Sequence, residues 1–81
     1  MNVQVQLFAV ARQLAGVDTI QVELSAGATI ADLRSRLADS CPRLAELVPH
    51  TRFAVDDEYA DDQACLSADS RVACIPPVSG G

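Results

Sequence analysis

Val3-Gln4-Val5-Gln6-Leu7-Phe8 alternates in polarity with a period of two. Val3, Val5 and Leu7 fall on one face and Gln4 and Gln6 on the other, which predicts a half-buried strand over residues 3–8. Residues 19–24 repeat the pattern, with Ile20, Val22 and Leu24 inward and Thr19, Gln21 and Glu23 outward. Between them, residues 9–15 are rich in Ala, Arg and Leu and predict a helical turn stopped by Gly16. The period then changes. Ile30, Leu33 and Leu37 recur at helical spacing, with Arg34, Arg36 and Asp39 expected on the wet side. Thr29 reads as the N-cap, and Asp32 three residues later as an acidic capping-box partner. Pro42 stops this helix.

The remainder returns to extended chain. Arg43–Val48 allows one more short helical turn before Pro49, and residues 51–55 predict a third strand. An acidic turn follows, then short extended pieces around Tyr59 and Leu66 and a turn at Ala68-Asp69-Ser70. Arg71-Val72-Ala73-Cys74-Ile75 predicts the last strand, and Pro76-Pro77 ends it because neither proline has an N–H to donate. A hairpin, one crossing helix and further strands predict an α+β fold: a mixed sheet with one main helix packed on one face. The ubiquitin-like β-grasp arrangement satisfies this order, with the first and last strands parallel neighbours in mid-sheet. The expected division is a β-grasp domain over residues 1–75 and an extended functional tail over 76–81.

The composition excludes several functions. At 81 residues the chain supports one small core, burying about 60% of its unfolded surface. Eleven acids face six bases, all arginine, for a net charge of −5. Scattered single arginines cannot neutralise a run of phosphates, so neither nucleic acid nor an anionic membrane is an expected partner; a protein with a basic surface is. No apolar run approaches membrane-spanning length, and no leader pattern precedes the first strand. Cys41, Cys65 and Cys74 are odd in number, widely spaced and without a C-x-x-C pair, and the single histidine, His50, is nine residues from Cys41. This is neither a zinc pattern nor a disulfide framework, and it suits reduced thiols in a cytoplasmic protein. The acidic cluster Asp56, Asp57, Glu58, Asp61, Asp62 lacks the central glycine and closing glutamate of an EF-hand loop. It is expected to be a solvated turn or a surface steering a basic partner; no metal site is expected.

The feature that points to chemistry is the end of the chain, Pro76-Pro77-Val78-Ser79-Gly80-Gly81. These six residues reach at most about 20 Å beyond the last strand when extended. The prolines keep the base of the arm extended. Gly80 and Gly81 carry no Cβ, so the end can enter a narrow channel. What it can deliver there is the α-carboxylate of Gly81, which becomes reactive on adenylation, after which a sulfur nucleophile can displace AMP.

Ile75-Pro76-Pro77-Val78-Ser79-Gly80-Gly81 resembles the C-terminal signature of the small subunits of molybdopterin synthase. Leu7-Phe8-Ala9 followed by Ala11-Arg12-Gln13-Leu14-Ala15-Gly16 resembles that family's Phe-Ala…Arg-x-x-x-Gly segment, and Val72-Ala73 fits as well. The chain departs from the pattern at Asp69-Ser70-Arg71, where Gly-Asp-Glu is usual, at Gln13 for an acid and at Asp56 for an Asn. Asp69 is expected to take the left-handed conformation of the missing glycine.

The resemblance implies a sulfur carrier that is not an enzyme by itself and binds no cofactor. A ubiquitin-activating-enzyme-like adenylyltransferase consumes ATP to adenylate Gly81, and sulfur transfer then yields a C-terminal thiocarboxylate. The tail enters the large subunit of molybdopterin synthase, where the sulfur attacks cyclic pyranopterin monophosphate in molybdenum cofactor biosynthesis. Gly-Gly alone also fits carriers for thiamine or cysteine biosynthesis and ubiquitin-like protein modifiers.

Strand alternation adds a docking surface. With Val3, Val5 and Leu7 facing the helix, Phe8 faces out; with Val72 and Cys74 facing it, Ala73 and Ile75 face out. In parallel neighbouring strands, Phe8 and Ile75 share one solvent face at the end where the tail leaves. They are expected to anchor a partner, with Arg12 at the rim.

Overall fold

The computed structural model describes residues 1–77. Five strands run β1 (Asn2–Leu7), β2 (Thr19–Glu23), β3 (Arg52–Val55), β4 (Glu58–Ala60) and β5 (Arg71–Ile75). They form a single mixed sheet in the order β2-β1-β5-β3-β4. β1 pairs antiparallel with β2 and parallel with β5, with Leu7 opposite Cys74. The expected central parallel pair is present, and the α+β β-grasp architecture with it.

Two helices connect the strands. α1 (Ala9–Ala15) follows β1 directly and ends on Gly16, whose φ of 77° is left-handed and whose N–H donates to the Arg12 carbonyl. A side chain at that φ would be strained, which is why the turn falls on glycine. α2 (Ile30–Ser40) opens with the predicted capping box: the Thr29 hydroxyl accepts from the Asp32 N–H, and the Asp32 carboxylate accepts from the Thr29 N–H at 2.9 Å. Ile30, Leu33 and Leu37 then bury one stripe of α2 against the inner sheet face. There they meet Val3, Val5, Leu7, Val22, Phe53, Val72 and Cys74. Each such side chain withdrawn from water contributes roughly 1.5–3 kcal/mol, so this layer dominates the stability.

Several local expectations are corrected. Phe8 lies outside the first strand, as the N-cap of α1. The turn expected at Arg43–Val48 is two short 3₁₀ turns, Pro42–Leu44 and Val48–His50, each with proline near its start. The piece around Leu66 is a single bridge between Thr29 and Cys65. Asp69 is not left-handed; Asp56 and Asp57 are, with φ of 51° and 72°. They form the tight β3–β4 hairpin turn, which requires positive φ at both central residues, and Val55 pairs with Glu58 across it. The turn before β5 closes instead on serines: the Ser70 N–H donates to the Ser67 carbonyl at 3.1 Å, and the Ser70 hydroxyl accepts from the Ser67 N–H at 2.9 Å.

Arg34 is also misplaced by the helical wheel. It is half-buried, with Nη1 donating to the carbonyls of Val48 at 2.6 Å and Thr51 at 2.7 Å, and Nε to Asp62 at 2.9 Å. Its guanidinium lies 4.9 Å from the Phe53 ring centroid. Arg34 therefore ties α2 to the chain entering β3. Arg36 and Asp39 are exposed as expected.

Candidate functional site

The parallel pairing of β1 with β5 builds the site. Because the two strands run the same way, β1 passes into α1 where β5 passes into Pro76 and Pro77. The Phe8 N–H donates to the Cys74 carbonyl at 3.3 Å, fastening this end. Pro76 is buried and Pro77 exposed, so the chain past β5 is still packed on the domain at Pro76. Val78, Ser79, Gly80 and Gly81 lie outside the described residues.

On the outer sheet face beside Pro76, Phe8 and Ile75 line one shallow groove, as strand alternation predicts. Ala54 and Ala73, paired across β3 and β5, line it with short side chains; Gln6, Arg71, Asp57 and Tyr59 rise around them. Phe8 is 41% exposed and Tyr59 60% exposed. The Arg52 guanidinium stacks 4.1 Å from the Tyr59 ring centroid, fixing an aromatic plane at the groove's border. The sequence pattern places Tyr59 only in a short extended piece; its pairing with Ala54 across the hairpin is what brings it to Phe8 and Ile75. Arg12 does not line the groove. It stands exposed on α1, 3.9 Å from the Asp18 carboxylate, a surface contact of little energy.

The helical turn expected over residues 9–15 and stopped by Gly16 is α1, but sequence reasoning missed its exposed apolar side. Val10, Leu14 and Val17 are 38%, 37% and 48% exposed. Their spacing of four and three residues was legible, but the helical period does not say which side faces solvent.

The acidic cluster is divided among separate tasks. The Asp56 carboxylate accepts from the Arg71 N–H at 3.0 Å, pinning the hairpin to β5. Asp61 accepts from the Gln63 N–H at 2.9 Å, and Asp62 pairs with Arg34 at 2.9 Å. Asp57 borders the groove. His50 is exposed on a 3₁₀ turn.

The three cysteines differ in setting: Cys65 is exposed, Cys41 half-buried and Cys74 buried. Burial pushes the Cys74 thiol up to about 11, partly opposed by the positive charge of Arg34. Iodoacetamide at pH 8 is therefore expected to modify Cys65 first and Cys74 only on unfolding, as peptide mapping over a time course would show. Early labelling of Cys74 in folded protein would contradict its placement. The same shift makes stability fall as pH rises between about 9 and about 11, where the unfolded thiol ionises and the folded one does not.

Residues 5–81 match the ThiS family. The molybdopterin synthase sulfur carrier subunit of Chlamydomonas reinhardtii is 36% identical over 83 residues, covering 100% of both chains. That of Arabidopsis thaliana is 33% identical over 81 residues, covering 100% of this chain and 84% of its own. Among solved structures, SAMP1 from Haloferax volcanii, a small archaeal modifier protein, superposes with a TM-score of 0.87 at 27% identity, covering 100% of both chains. A complex of subunits 1 and 2 of the molybdopterin-converting factor from Helicobacter pylori matches with a TM-score of 0.70 at 21% identity over 100% of both chains, a likeness of fold. With the β-grasp sheet, the Pro-Pro arm and these full-length relatives together, the chain belongs to the ThiS family and, within it, to the molybdopterin synthase sulfur carrier subunits.

Proposed function

We propose that the protein carries sulfur as a thiocarboxylate on Gly81 and delivers it to cyclic pyranopterin monophosphate inside the large subunit of molybdopterin synthase. The observation that carries this reading is the Pro76–Gly81 arm, beginning at the buried Pro76 beside the groove that Phe8 and Ile75 line, in a chain that matches sulfur carrier subunits over its full length. A ubiquitin-activating-enzyme-like adenylyltransferase uses ATP to convert the Gly81 carboxylate to an acyl adenylate. A sulfur nucleophile then displaces AMP: hydrosulfide gives the thioacid directly, whereas a persulfide gives an acyl disulfide whose S–S bond a second thiol cleaves to release it. The resulting thioacid is ionised at neutral pH, and its soft sulfur is a far better nucleophile than a carboxylate oxygen. No side chain of this subunit has to act as acid or base, so the large subunit supplies those groups. The carrier holds no cofactor of its own and works in the cytoplasm beside its partners. Intact mass of protein from its own host, with fragmentation of the tail, tests the reading: one oxygen replaced by sulfur at Gly81 supports it. An exclusively carboxylate tail, after activation in the presence of a sulfur donor, rejects it.

A second reading, covalent modification of other proteins through Gly81, is favoured by the likeness to SAMP1. Isopeptide adducts on target lysines in extracts would discriminate it from sulfur transfer.

In either role the tail is handed to other proteins, and Phe8 and Ile75 are the proposed anchors, with Arg12 a proposed contact from α1 outside the groove. Phe8→Ala or Ile75→Asp should weaken binding to both the activating enzyme and the large subunit by roughly 2 kcal/mol or more, as truncations at interface centres do. Titration calorimetry with parallel melting curves checks this. Normal binding, or binding lost only with the fold, would show that the pair serves packing alone.

A further inference from the structure

We infer that the exposed apolar side of α1 (Val10, Leu14 and, past its cap, Val17) is a second docking surface, covered by the synthase large subunit when it receives the tail. The inference rests on the sulfur-carrier reading and extends the contact beyond the sheet-face groove.

Four of the five large apolar residues exposed among the described residues (Phe8, Val10, Leu14 and Val17) fall within ten consecutive positions, and the fifth, Tyr59, borders the same groove as Phe8. The exposed side of α2, by contrast, carries Asp32, Ser35, Arg36 and Asp39. Apolar surface is thus gathered at one end of the domain rather than scattered, which marks an interaction surface. Val10 and Leu14 are one helical turn apart and so share a side of α1.

The reach of the tail restricts the occupant to a partner that takes up Gly81, and the large subunit is represented among the solved complexes this fold matches. Six residues from Pro76 to Gly81 span at most about 20 Å. A partner that takes Gly81 into a channel must therefore bring the channel mouth within that distance of Pro76. α1 begins at this root, because the Phe8 N–H is bonded to the Cys74 carbonyl two residues before Pro76. α1 is seven residues long, about 10 Å at 1.5 Å per residue. The whole of α1 lies within the footprint that the tail length imposes. A second copy of this chain is a poorer occupant, since each copy carries a net charge of −5 and like charge opposes association.

Ala9 adds a constraint on how this side is presented. It is the first residue of α1 and has a φ of 50°, a left-handed angle unusual for alanine. This one residue turns the chain from β1 into α1 and so fixes the direction of α1 relative to Phe8.

The test uses the full chain, the large subunit from the same host, and a triple variant Val10→Ser, Leu14→Gln, Val17→Ser. Titration calorimetry should show Kd for the large subunit rising tenfold or more in the variant, with a cooperative melt retained. Because Leu14 is only partly exposed and the variant could unfold, hydrogen exchange on wild-type protein provides an independent reading. Amides of residues 10–17 should gain protection when the large subunit is added. Binding within twofold of wild type in a folded variant, or protection confined to the sheet and tail, would overturn the inference. Protection already present without partner, with a dimer in sedimentation, would assign the surface to self-association and also overturn it. If wild-type protein does not bind the large subunit at all, the sulfur-carrier reading itself fails and takes this docking surface with it.

Discussion

Deleting Gly81, or appending one residue after it, is expected to abolish sulfur transfer while leaving the fold intact. The reacting atom is proposed to sit on the terminal carboxyl carbon, so chain length sets where it arrives. One added residue displaces that atom by about 3.3–3.6 Å along an extended chain. Misplacement by 1 Å can lower a rate about 100-fold, so the loss should exceed about 100-fold even if the extended tail still enters the channel. Stability should hardly change. The hydrophobic core of the described residues ends at Cys74, and Pro76, the buried residue at the root, is retained in both variants. Reconstituted synthase activity, thiocarboxylate by intact mass and melting curves should be measured on the same preparations. Full activity of the extended protein would remove the basis for assigning the sulfur to Gly81. A triple Cys→Ser variant is the complementary control, because a carrier that loads Gly81 should accept sulfur without any thiol of its own.

The fold was legible because its two periodicities are clean. Val3, Val5 and Leu7 alternate against glutamines, and Ile30, Leu33 and Leu37 follow a capped start; all six are buried where expected. Phe8 and Ile75 came to one groove by the same parity argument. What failed were features decided by tertiary partners. Arg34 lies beside the buried stripe of α2, and a wheel assigns any such arginine to solvent. Only the carbonyls of Val48 and Thr51, far along the chain, draw it inward. Resemblance points to a left-handed residue at Asp69, where a glycine is usual. The tight β3–β4 hairpin instead imposes positive φ on Asp56 and Asp57, neither of which advertises it as glycine would. Tyr59 joined the groove through strand pairing, which a local pattern cannot specify.

Arg34→Ala should be among the most destabilising single changes outside the apolar core. Two of its bonds are charge-assisted and end on main-chain carbonyls of the segment that feeds β3, at Val48 and Thr51. Hydrogen bonds to charged groups contribute about 1.5–3 kcal/mol each, and an acceptor left unpaired in a half-buried site adds its own desolvation penalty. The ion pair with Asp62 adds little, because that carboxylate is 54% exposed. The stacking of the guanidinium near Phe53 is a further small contribution. The sum is a loss of at least roughly 3 kcal/mol. A chain of 81 residues has about 4–12 kcal/mol in total at about 0.05–0.15 kcal/mol per residue. The melting temperature should drop by roughly 12–24 °C for a loss of about 3 kcal/mol. Asp62→Asn should cost less than about 1 kcal/mol, separating the carbonyl bonds from the surface pair. Urea unfolding of both variants decides the matter. If Arg34→Ala stays within about 1 kcal/mol of wild type, the bonds to Val48 and Thr51 are replaced by water and Arg34 is not what holds α2 to β3. If the loss appears as expected, partner binding corrected for the folded fraction should still match wild type, because Arg34 packs over Phe53 on the buried inner side of the sheet, whereas the groove of Phe8, Ile75 and Tyr59 opens on its outer face.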